Sequence, residues 1–181
     1  MNEFILKLRN KIAVDSGNEL KIGKNVRMRK SKIKIRGCNN QLIIHENCNL
    51  REVDIEIRGE NSIIEIGKNT IIGEGTYFSA KEGCSIKVGE DCMFSRNIDI
   101  MTSDGHIITQ NGIRVNLSKS IEIGNRVWVS DHVVILKGSK IGNNSVVGIN
   151  SVITKEFEDS NVIIAGNPAK IVKKGIEWNK K

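Results

Sequence analysis

The residue best suited to acid–base chemistry in this sequence is His106, which lies in the segment 102–108, two residues after Asp104. Imidazole ordinarily titrates near neutral pH, so a histidine can take a proton from a weak nucleophile such as an alcohol. Asp104 is a candidate to orient the imidazole or an acceptor molecule. The same residues are also typical of a solvated loop, so the elements around His106 have to be considered.

Other side chains are weaker candidates for catalysis. The three histidines lie 61 and 26 residues apart, at positions 45, 106 and 132. Catalytic zinc sites of the carbonic anhydrase class use a closely spaced histidine pair, so we disfavour that class and expect no metal. The four cysteines have neither C-x-x-C spacing nor the density of a disulfide framework, and we interpret them as reduced packing residues: Cys38, Cys48, Cys84 and Cys92.

Internal repeats predict the scaffold that would carry His106. In the first half of the chain an aliphatic anchor recurs every 22 residues, at Ile22, Ile44, Ile66 and Val88. From Ile123 onward the period shortens to six, at Ile123, Val129, Ile135, Ile141, Val147 and Ile153. Six is a multiple of the strand period of two, so each anchor returns to the same face of an extended chain. On a helix each step would rotate the anchor by about 240° and no stripe would form.

The repeats therefore predict an all-β solenoid of stacked triangular coils. Three six-residue sides give a coil of about 18 residues, and the 22-residue period adds a corner loop of about four residues, expected at 37–40 and 59–62. His45 and His132 fall inside repeats and are interpreted as structural residues. Four residues spaced by 22 hold the same place in successive long coils and should face the interior: Val26, Cys48, Thr70 and Cys92. A buried place of this kind argues against Cys48 or Cys92 as a thiol nucleophile.

The chain is expected to be a single domain with a cap at each end. It has 181 residues, which is the size of one domain. We predict a β-helix over residues 15–165, an N-terminal cap over 1–14, and a C-terminal tail over 166–181 along the outside of the stack. Helical spacing of apolar residues supports the N-terminal cap, with a membrane-surface helix as the alternative: Phe4, Ile5, Leu8 and Ile12.

The repeat is interrupted once, and the interruption contains His106. Between the anchors Val88 and Ile123 lie 35 residues where 22 would continue the pattern. We therefore expect about thirteen residues to leave the coil around 101–117. Long loops on a rigid scaffold are where function concentrates, so this extruded loop is predicted to present His106 at an active site.

The most specific motifs are Ile123-Gly-Asn-Arg-Val-Trp-Val, the hexads that end at Lys155, and Ala165-Gly-Asn-Pro-Ala-Lys170. Over about residues 85–175 they resemble the hexapeptide-repeat acyltransferases, in the branch of maltose, galactoside and capsular or polysialic acid O-acetyltransferases. The resemblance implies a left-handed parallel β-helix, a homotrimer, and acetyl-CoA as the acyl donor. It also implies that His106 is the general base, so that the acceptor hydroxyl attacks the thioester directly and no acyl-enzyme forms.

The same resemblance assigns contacts with acetyl-CoA. Trp128 matches a tryptophan near the acyl and pantetheine end, although an exposed tryptophan could also pack at a subunit boundary. Asp131 and Ile149 match positions whose backbone groups hold the pantetheine amides. The residues that match the nucleotide end are polar or basic, as charge pairing with phosphate requires: Thr154, Lys155, Lys170 and Lys173.

The charge distribution bears on possible partners. The net charge is +7, and residues 1–36 hold eleven Lys and Arg against three acidic residues. Alternating basic residues over 27–36 predict one exposed strand face, which is either a solubilising surface or a site for anionic polysaccharide or membrane. Nucleic acid is not expected, because no aromatic residues are interleaved with these charges. No apolar run reaches the roughly 20 residues of a membrane span and no signal peptide is recognised, so we expect a cytoplasmic protein.

Together these features predict an acetyl-CoA-dependent O-acetyltransferase that acts on a sugar hydroxyl. We expect coils in place of the helical N-terminal segment of the maltose and galactoside branch, and no match to its acceptor-binding asparagine is found. This favours a cell-surface polysaccharide or its precursor as acceptor, for instance one containing sialic acid. An N-acetyltransferase of amino sugars or antibiotics and a non-catalytic scaffold are the alternatives, but a scaffold would need neither the His106 loop nor the basic set that includes Lys155 and Lys170.

Overall fold

A computed structural model describes residue 6 and residues 8–180 of the chain, and almost all regular structure in it is β-strand. Three sheets with parallel pairing along the stack form its sides. The chain visits the sheets in turn, so each coil contributes one strand to each side. This architecture is the parallel β-solenoid that the repeats predicted, and its left-handed coil is the one that the family resemblance implied.

The strands of the stack form three sheets, and each of the seven coils contributes one strand to each sheet. Sheet A contains β1 (Lys11–Val14), β4 (Lys32–Cys38), β7 (Asp54–Glu60), β10 (Tyr77–Lys81), β13 (Asp99–Met101), β18 (Val134–Leu136) and β21 (Val152–Ile153). Sheet B contains β2 (Glu19–Ile22), β5 (Gln41–Ile44), β8 (Ile63–Ile66), β11 (Ser85–Val88), β16 (Ile121–Ile123), β19 (Lys140–Ile141) and β22 (Glu156–Phe157). Sheet C contains β3 (Arg27–Arg29), β6 (Asn49–Arg51), β9 (Ile71–Ile72), β12 (Met93–Phe94), β17 (Trp128–Val129), β20 (Val146–Val147), β23 (Val162–Gly166) and β24 (Ala169–Lys174).

The strand register reproduces the periods found in the sequence. Ile33 pairs with Ile55 in the long coils, and Ile135 pairs with Ile153 in the short ones. Where the extruded loop intervenes, Ile100 still pairs with Ile135, so the ladder continues across the interruption. Each of these aliphatic side chains is buried, because alternate residues of every strand point into the stack.

The extra residues of the long coils lie partly in strands rather than only in loops. The predicted corner loops at 37–40 and 59–62 are wrong in their first halves, since β4 extends to Cys38 and β7 to Glu60, and these strand ends pair with each other. Gly37 has a φ of +100°, and a Cβ there would lie 2.0 Å from the carbonyl oxygen of Gly59. Glycine is therefore needed to bring the two strands together at this point. Cys38 is exposed, so it is not the packing residue that the sequence suggested.

The predicted column of interior positions is confirmed. Its four members are buried: Val26, Cys48, Thr70 and Cys92. Three of them donate a 3.1 Å hydrogen bond to a glycine carbonyl of the next coil: Cys48 to Gly67, Thr70 to Gly89 and Cys92 to Gly124. Each polar group in the column thus has an acceptor inside the stack, as buried donors require.

Two of the three histidines lie at surface corners of the coils. Residues at many corners adopt a left-handed conformation, which asparagine tolerates better than most residues. His132 takes such a position, with a φ of 58°. His45 is half-exposed and its Nε2 lies 2.8 Å from Glu65 Oε1. Both histidines therefore belong to the surface of the repeats and not to their interior.

The N-terminal end differs from the predicted cap over residues 1–14. Lys11–Val14 form β1 and pair with β4, so the first coil begins earlier than expected. Leu6 is buried over the end of the stack, whereas Leu8 is 75% exposed, which is the reverse of the predicted apolar face. Phe4 and Ile5 lie outside the described residues. Among the residues that are described, no helix is long and apolar enough to span a membrane.

The C-terminal segment closes the other end and then turns back. β24 pairs antiparallel with β23 and forms the edge of sheet C, so this part of the predicted tail belongs to the stack. The chain then runs along the outside: Ile176 N donates to Asn161 O at 3.0 Å, and Lys180 Nζ donates to Asn69 O at 3.2 Å. The remainder of the tail therefore follows the outer surface.

Burial of the interior cysteines leads to a chemical prediction. Burial raises the pKa of the Cys92 thiol to about 11 and also raises the pKa of Cys48. At pH 8 only about one Cys92 in a thousand is then a thiolate, which is the reactive form. Alkylation with iodoacetamide, followed by mass spectrometry, should label exposed Cys38 well before Cys48 or Cys92. Labelling of Cys92 as fast as Cys38 in the folded protein would contradict this placement.

Candidate active site

The extruded loop occupies the corner between sheets A and B. Residues 103–118 leave the coil after β13 and return at β16, close to the predicted range of 101–117. A 3.1 Å hydrogen bond from Lys119 N to Thr102 O joins the two ends of the loop. Thr102 is fully buried, and its Oγ1 accepts a hydrogen bond from Lys81 N at 3.0 Å. Within the loop two short antiparallel strands form a ribbon: β14 (Thr109–Gln110) and β15 (Ile113–Arg114).

Charged side chains attach the loop to the neighbouring coils. Glu82 accepts hydrogen bonds from Arg114 Nη2 at 2.8 and 2.9 Å and from Ser118 Oγ at 2.9 Å. These hydrogen bonds lower the pKa of Glu82, and the bond from Ser118 has the largest effect. On the other side Asp104 pairs with Lys137, whose ammonium group lowers the pKa of that carboxyl. Asp104 is thus engaged in holding the loop, and its carboxylate is not the orienting partner of an imidazole.

His106 is exposed on this loop. Within the described residues its one hydrogen bond uses the main-chain carbonyl, which accepts from Asn116 Nδ2 at 2.7 Å. The imidazole is therefore presented to the outside. Around it the loop surface is unusually apolar, with five aliphatic side chains that are between 54% and 70% exposed: Ile107, Ile108, Ile113, Val115 and Leu117. Apolar clusters of this kind mark surfaces that contact a partner or a ligand.

Trp128 and Lys173, two of the predicted contacts with acetyl-CoA, share the outer face of sheet C. The strand pairing aligns Trp128 with Val146, Val146 with Ile163, and Ile163 with Lys173. Strands lie roughly 4.8 Å apart, so this row runs about 14 Å from Trp128 to Lys173. The middle of the row is apolar and half-exposed, and a cation stands at its end. An extended ligand with an anionic terminus fits such a row.

Trp128 is held from two sides. Its Nε1 donates to Ser95 Oγ at 3.3 Å, and its ring lies 6.2 Å from the ring of Trp178 in the C-terminal segment. Trp178 is itself fixed, since its Nε1 donates to Arg126 O at 2.8 Å and the Arg126 guanidinium lies 6.0 Å from its ring centre. Sequence reasoning missed Trp178 as a contact of Trp128, because its place depends on the path of the tail.

Asp131 and Ile149 occupy successive corners between sheets C and A. Asn150 N donates to Asp131 O at 3.2 Å, which stacks the two corners. The Asp131 carboxylate binds Arg96 through both the main-chain N–H and the guanidinium, at 2.8 and 2.7 Å, and these bonds lower its pKa. Ile149 is 61% exposed beside it. Lys170 pairs with Ala165 near the C-terminal end of β23, the end of sheet C that faces these two corners.

Thr154 and Lys155 lie elsewhere, at the corner between sheets A and B that also carries the His106 loop. Both are exposed, and the Lys155 ammonium lies 5.5 Å from the ring centre of Phe157. One chain thus divides the predicted site residues into two groups separated by sheet A. The first group contains His106, Thr154 and Lys155; the second contains Trp128, Asp131, Ile149, Lys170 and Lys173. Among the described residues, no cluster of three side chains suited to hold a metal ion is found.

The sequence is similar to those of two polysialic acid O-acetyltransferases. No protein-family model matches the sequence. A polysialic acid O-acetyltransferase of Neisseria meningitidis is 37% identical over 170 residues, which cover 93% of this chain and 78% of that protein. A polysialic acid O-acetyltransferase of Escherichia coli O1:K1 / APEC is also 37% identical, but over 97 residues that cover 52% of this chain and 31% of that protein.

One solved structure belongs to the same group, and a second shares the fold. The polysialic acid O-acetyltransferase OatWY matches with a TM-score of 0.85 at 32% identity, covering 95% of this chain and 88% of that one. A galactoside acetyltransferase in complex with coenzyme A shares the fold, with a TM-score of 0.51 at 21% identity over 95% of this chain and 68% of that one. Because the Neisseria relative matches most of both chains, this chain belongs to the hexapeptide-repeat acyltransferases, in the branch of sugar O-acetyltransferases, and is an acetyltransferase.

Proposed function

We propose that the chain transfers the acetyl group of acetyl-CoA to a hydroxyl of a carbohydrate, with His106 as the general base. The observation that carries the proposal is the exposed position of His106 on an anchored, extruded loop. The loop belongs to a chain that is similar, over 93% of its length, to a polysialic acid O-acetyltransferase. An imidazole held outside the coil is accessible to a large acceptor.

The chemistry requires only one proton carrier. As the acceptor oxygen attacks the thioester carbonyl of acetyl-CoA, the His106 imidazole takes the hydroxyl proton, so no free alkoxide has to form before the attack. A new C–O bond replaces the C–S bond, and the proton leaves on the thiol of coenzyme A. The interior cysteines do not enter the reaction, which agrees with direct transfer and with their raised pKa values.

The outer face of sheet C suits the acyl donor. We assign the acyl end to Trp128 and the phosphates to Lys170 and Lys173, with the pantetheine arm along the apolar row between them. Asp131 and Ile149 border this row at the corner where main-chain groups are available for the pantetheine amides. Lysine at the far end supplies charge-assisted hydrogen bonds to phosphate.

The division of the site residues favours an assembly of several copies. His106, Thr154 and Lys155 of one copy would meet the sheet C row of a neighbour, and a homotrimer allows each copy to supply both groups. The exposed aliphatic side chains of the loop support this arrangement, because a neighbour would cover them. In a single chain they remain in water.

The acceptor is proposed to be an acidic cell-surface polysaccharide or its precursor, such as a sialic acid polymer. Two relatives act on polysialic acid by name. The first two coils of this chain expose basic side chains on sheets A and C: Arg27, Arg29, Lys32, Lys34 and Arg36. Lys32 pairs with Asp54 of the next coil, but the others form no ion pair within the described residues, which leaves cationic surface for an anionic polymer.

Replacement of His106 tests the proposed base. His106→Ala should lower kcat by ~10²–10⁴-fold, which is the usual range for loss of a general base, with little change in acetyl-CoA affinity. Folding should be unaffected, because the side chain supports no coil. Thiol release during incubation with acetyl-CoA and polysialic acid gives the rate, and calorimetry gives the affinity.

His45→Asn is the matched control, because His45 is a surface histidine at the corner between β5 and β6, three coils before the coil of Trp128. Its turnover should stay within about twofold of the parent. If His106→Ala turns over within a few-fold of the parent protein, the assignment of the base is wrong. Faster transfer to amino sugars than to hydroxyl acceptors would instead favour N-acetylation.

A second test concerns the cofactor phosphates. Replacing Lys155, Lys170 and Lys173 together with alanine should weaken binding of coenzyme A by ~10–100-fold, through loss of charge-assisted bonds to phosphate. Dephospho-CoA, which lacks the 3′-phosphate, should lose much less. The matched control replaces three exposed lysines outside this region: Lys24, Lys34 and Lys87. Equal losses for both ligands would exclude a contact with the 3′-phosphate.

A third test concerns assembly. Light scattering at micromolar concentration should give about 60 kDa, three times the 20.1 kDa chain. Arginine at Ile113 and Leu117, which are 70% and 60% exposed, should shift the protein toward smaller species, since a buried charge in an interface is costly. Leu8→Arg introduces one such charge at a leucine that is 75% exposed and far from the loop, and it should leave the mass unchanged. A monomeric parent protein would refute the assembly.

A further inference from the structure

Asn116 is the one buried side chain among residues 103–118, with 7% of its surface exposed. Its amide contacts every second residue of the segment that contains His106. Nδ2 donates to the carbonyl of His106 at 2.7 Å and to Oδ2 of Asp104 at 3.0 Å. Oδ1 accepts from the main-chain N–H of Ile108 at 2.8 Å. The segment 104–108 is thus wrapped around a single amide.

We infer that Asn116 is a positioning residue that fixes the orientation of the His106 side chain through the main chain. Its side chain does not touch the imidazole, so its effect on the reaction passes through residues 104–108. By holding the side chain of Asp104 on one side, and the carbonyl of His106 and the N–H of Ile108 on the other, it restrains the main chain on both sides of the imidazole-bearing residue. A rigid support of this kind is what a general base needs in order to stay within reach of an acceptor hydroxyl.

The chemistry of the contacts selects asparagine at this position. Two donors and one acceptor are used at once, and among side chains of this length only an amide supplies both. Aspartate has the same shape but no donor, and it would place a carboxylate against that of Asp104. The Asp104 carboxylate in turn pairs with Lys137 of the next coil, so the amide is connected to the rigid stack through an ion pair.

The inference rests on the proposed function, because it assigns Asn116 a role only if His106 is the base. Two variants separate positioning from folding. Asn116→Ala removes all three contacts, and Asn116→Asp keeps the volume and the acceptor but removes both donors. We expect each to lower kcat by ~10–100-fold while the KM for acetyl-CoA stays within about twofold, since the sheet C row is untouched.

A double-mutant comparison gives the decisive readout. In a His106→Ala background, the Asn116 substitutions should lower the residual rate by less than about threefold, because the group they position is already gone. Equal factors in both backgrounds would overturn the inference, as would near-parent kcat for Asn116→Asp. If His106→Ala itself has parent activity, the proposed base fails and the inference fails with it. The first two failures, by contrast, leave the base intact.

Hydrogen exchange supplies a structural readout that does not depend on turnover. Amide exchange in the peptide containing residues 104–108 should become faster in both Asn116 variants, while peptides of the coils keep their protection. The matched control is Asn111→Gly, at the exposed tip of the ribbon, where a φ of 53° suits glycine. It should change neither kcat nor exchange at 104–108. Faster exchange throughout the coils would show a general structural role for Asn116 and would overturn the inference.

Discussion

The parallel register of the backbone hydrogen bonds is the constraint on which this molecule depends. Every strand must pair with the strands one coil before and after, so an insertion has to leave and re-enter the stack at the same corner. Thr102 and Lys119 meet this condition with a 3.1 Å hydrogen bond, and Ile100 pairs with Ile135 as though the loop were absent. The loop sequence is thereby free of the repeat, which is why chemistry can be placed there without cost to the core.

The three outer faces are unequal, and this inequality determines where a ligand can lie. Sheet B carries ladders of charge, such as Lys140 between Glu122 and Glu158, which favour water. The later coils of sheet C instead present the half-exposed row from Trp128 to Ile163. Apolar side chains that remain accessible on one side of a stack, next to cations at its end, favour an amphipathic ligand with phosphate groups. The fold thus buries aliphatic side chains behind all three sheets, while the outer faces of sheets B and C differ in chemistry.

Periodicity made the scaffold predictable, and its absence limited the prediction of the site. Interior positions such as Cys92 and Thr70 followed from the 22-residue repeat, and so did the place where the coil is interrupted. The strand at Lys11–Val14 was missed because its apolar residues also fit a helix, and pairing with β4 decided between the two. The roles of Asp104 and Asn116 depend on the folded path of a loop without any repeat. Local pattern contains no information on such contacts.

The loop itself presents an energetic problem that connects its shape to assembly. Sixteen residues outside the coil lose conformational entropy when they adopt one structure, and they have no hydrophobic core of their own to offset this loss. The contacts that fix them are few and polar: Asn116, the Asp104–Lys137 pair and the Glu82–Arg114 pair. Exposed ion pairs contribute little, about 1 kcal/mol or less each. Covering the aliphatic side chains of the loop by a neighbouring copy would contribute much more through burial. In the proposed assembly, the same contact that completes the site would therefore also order the loop that carries its base.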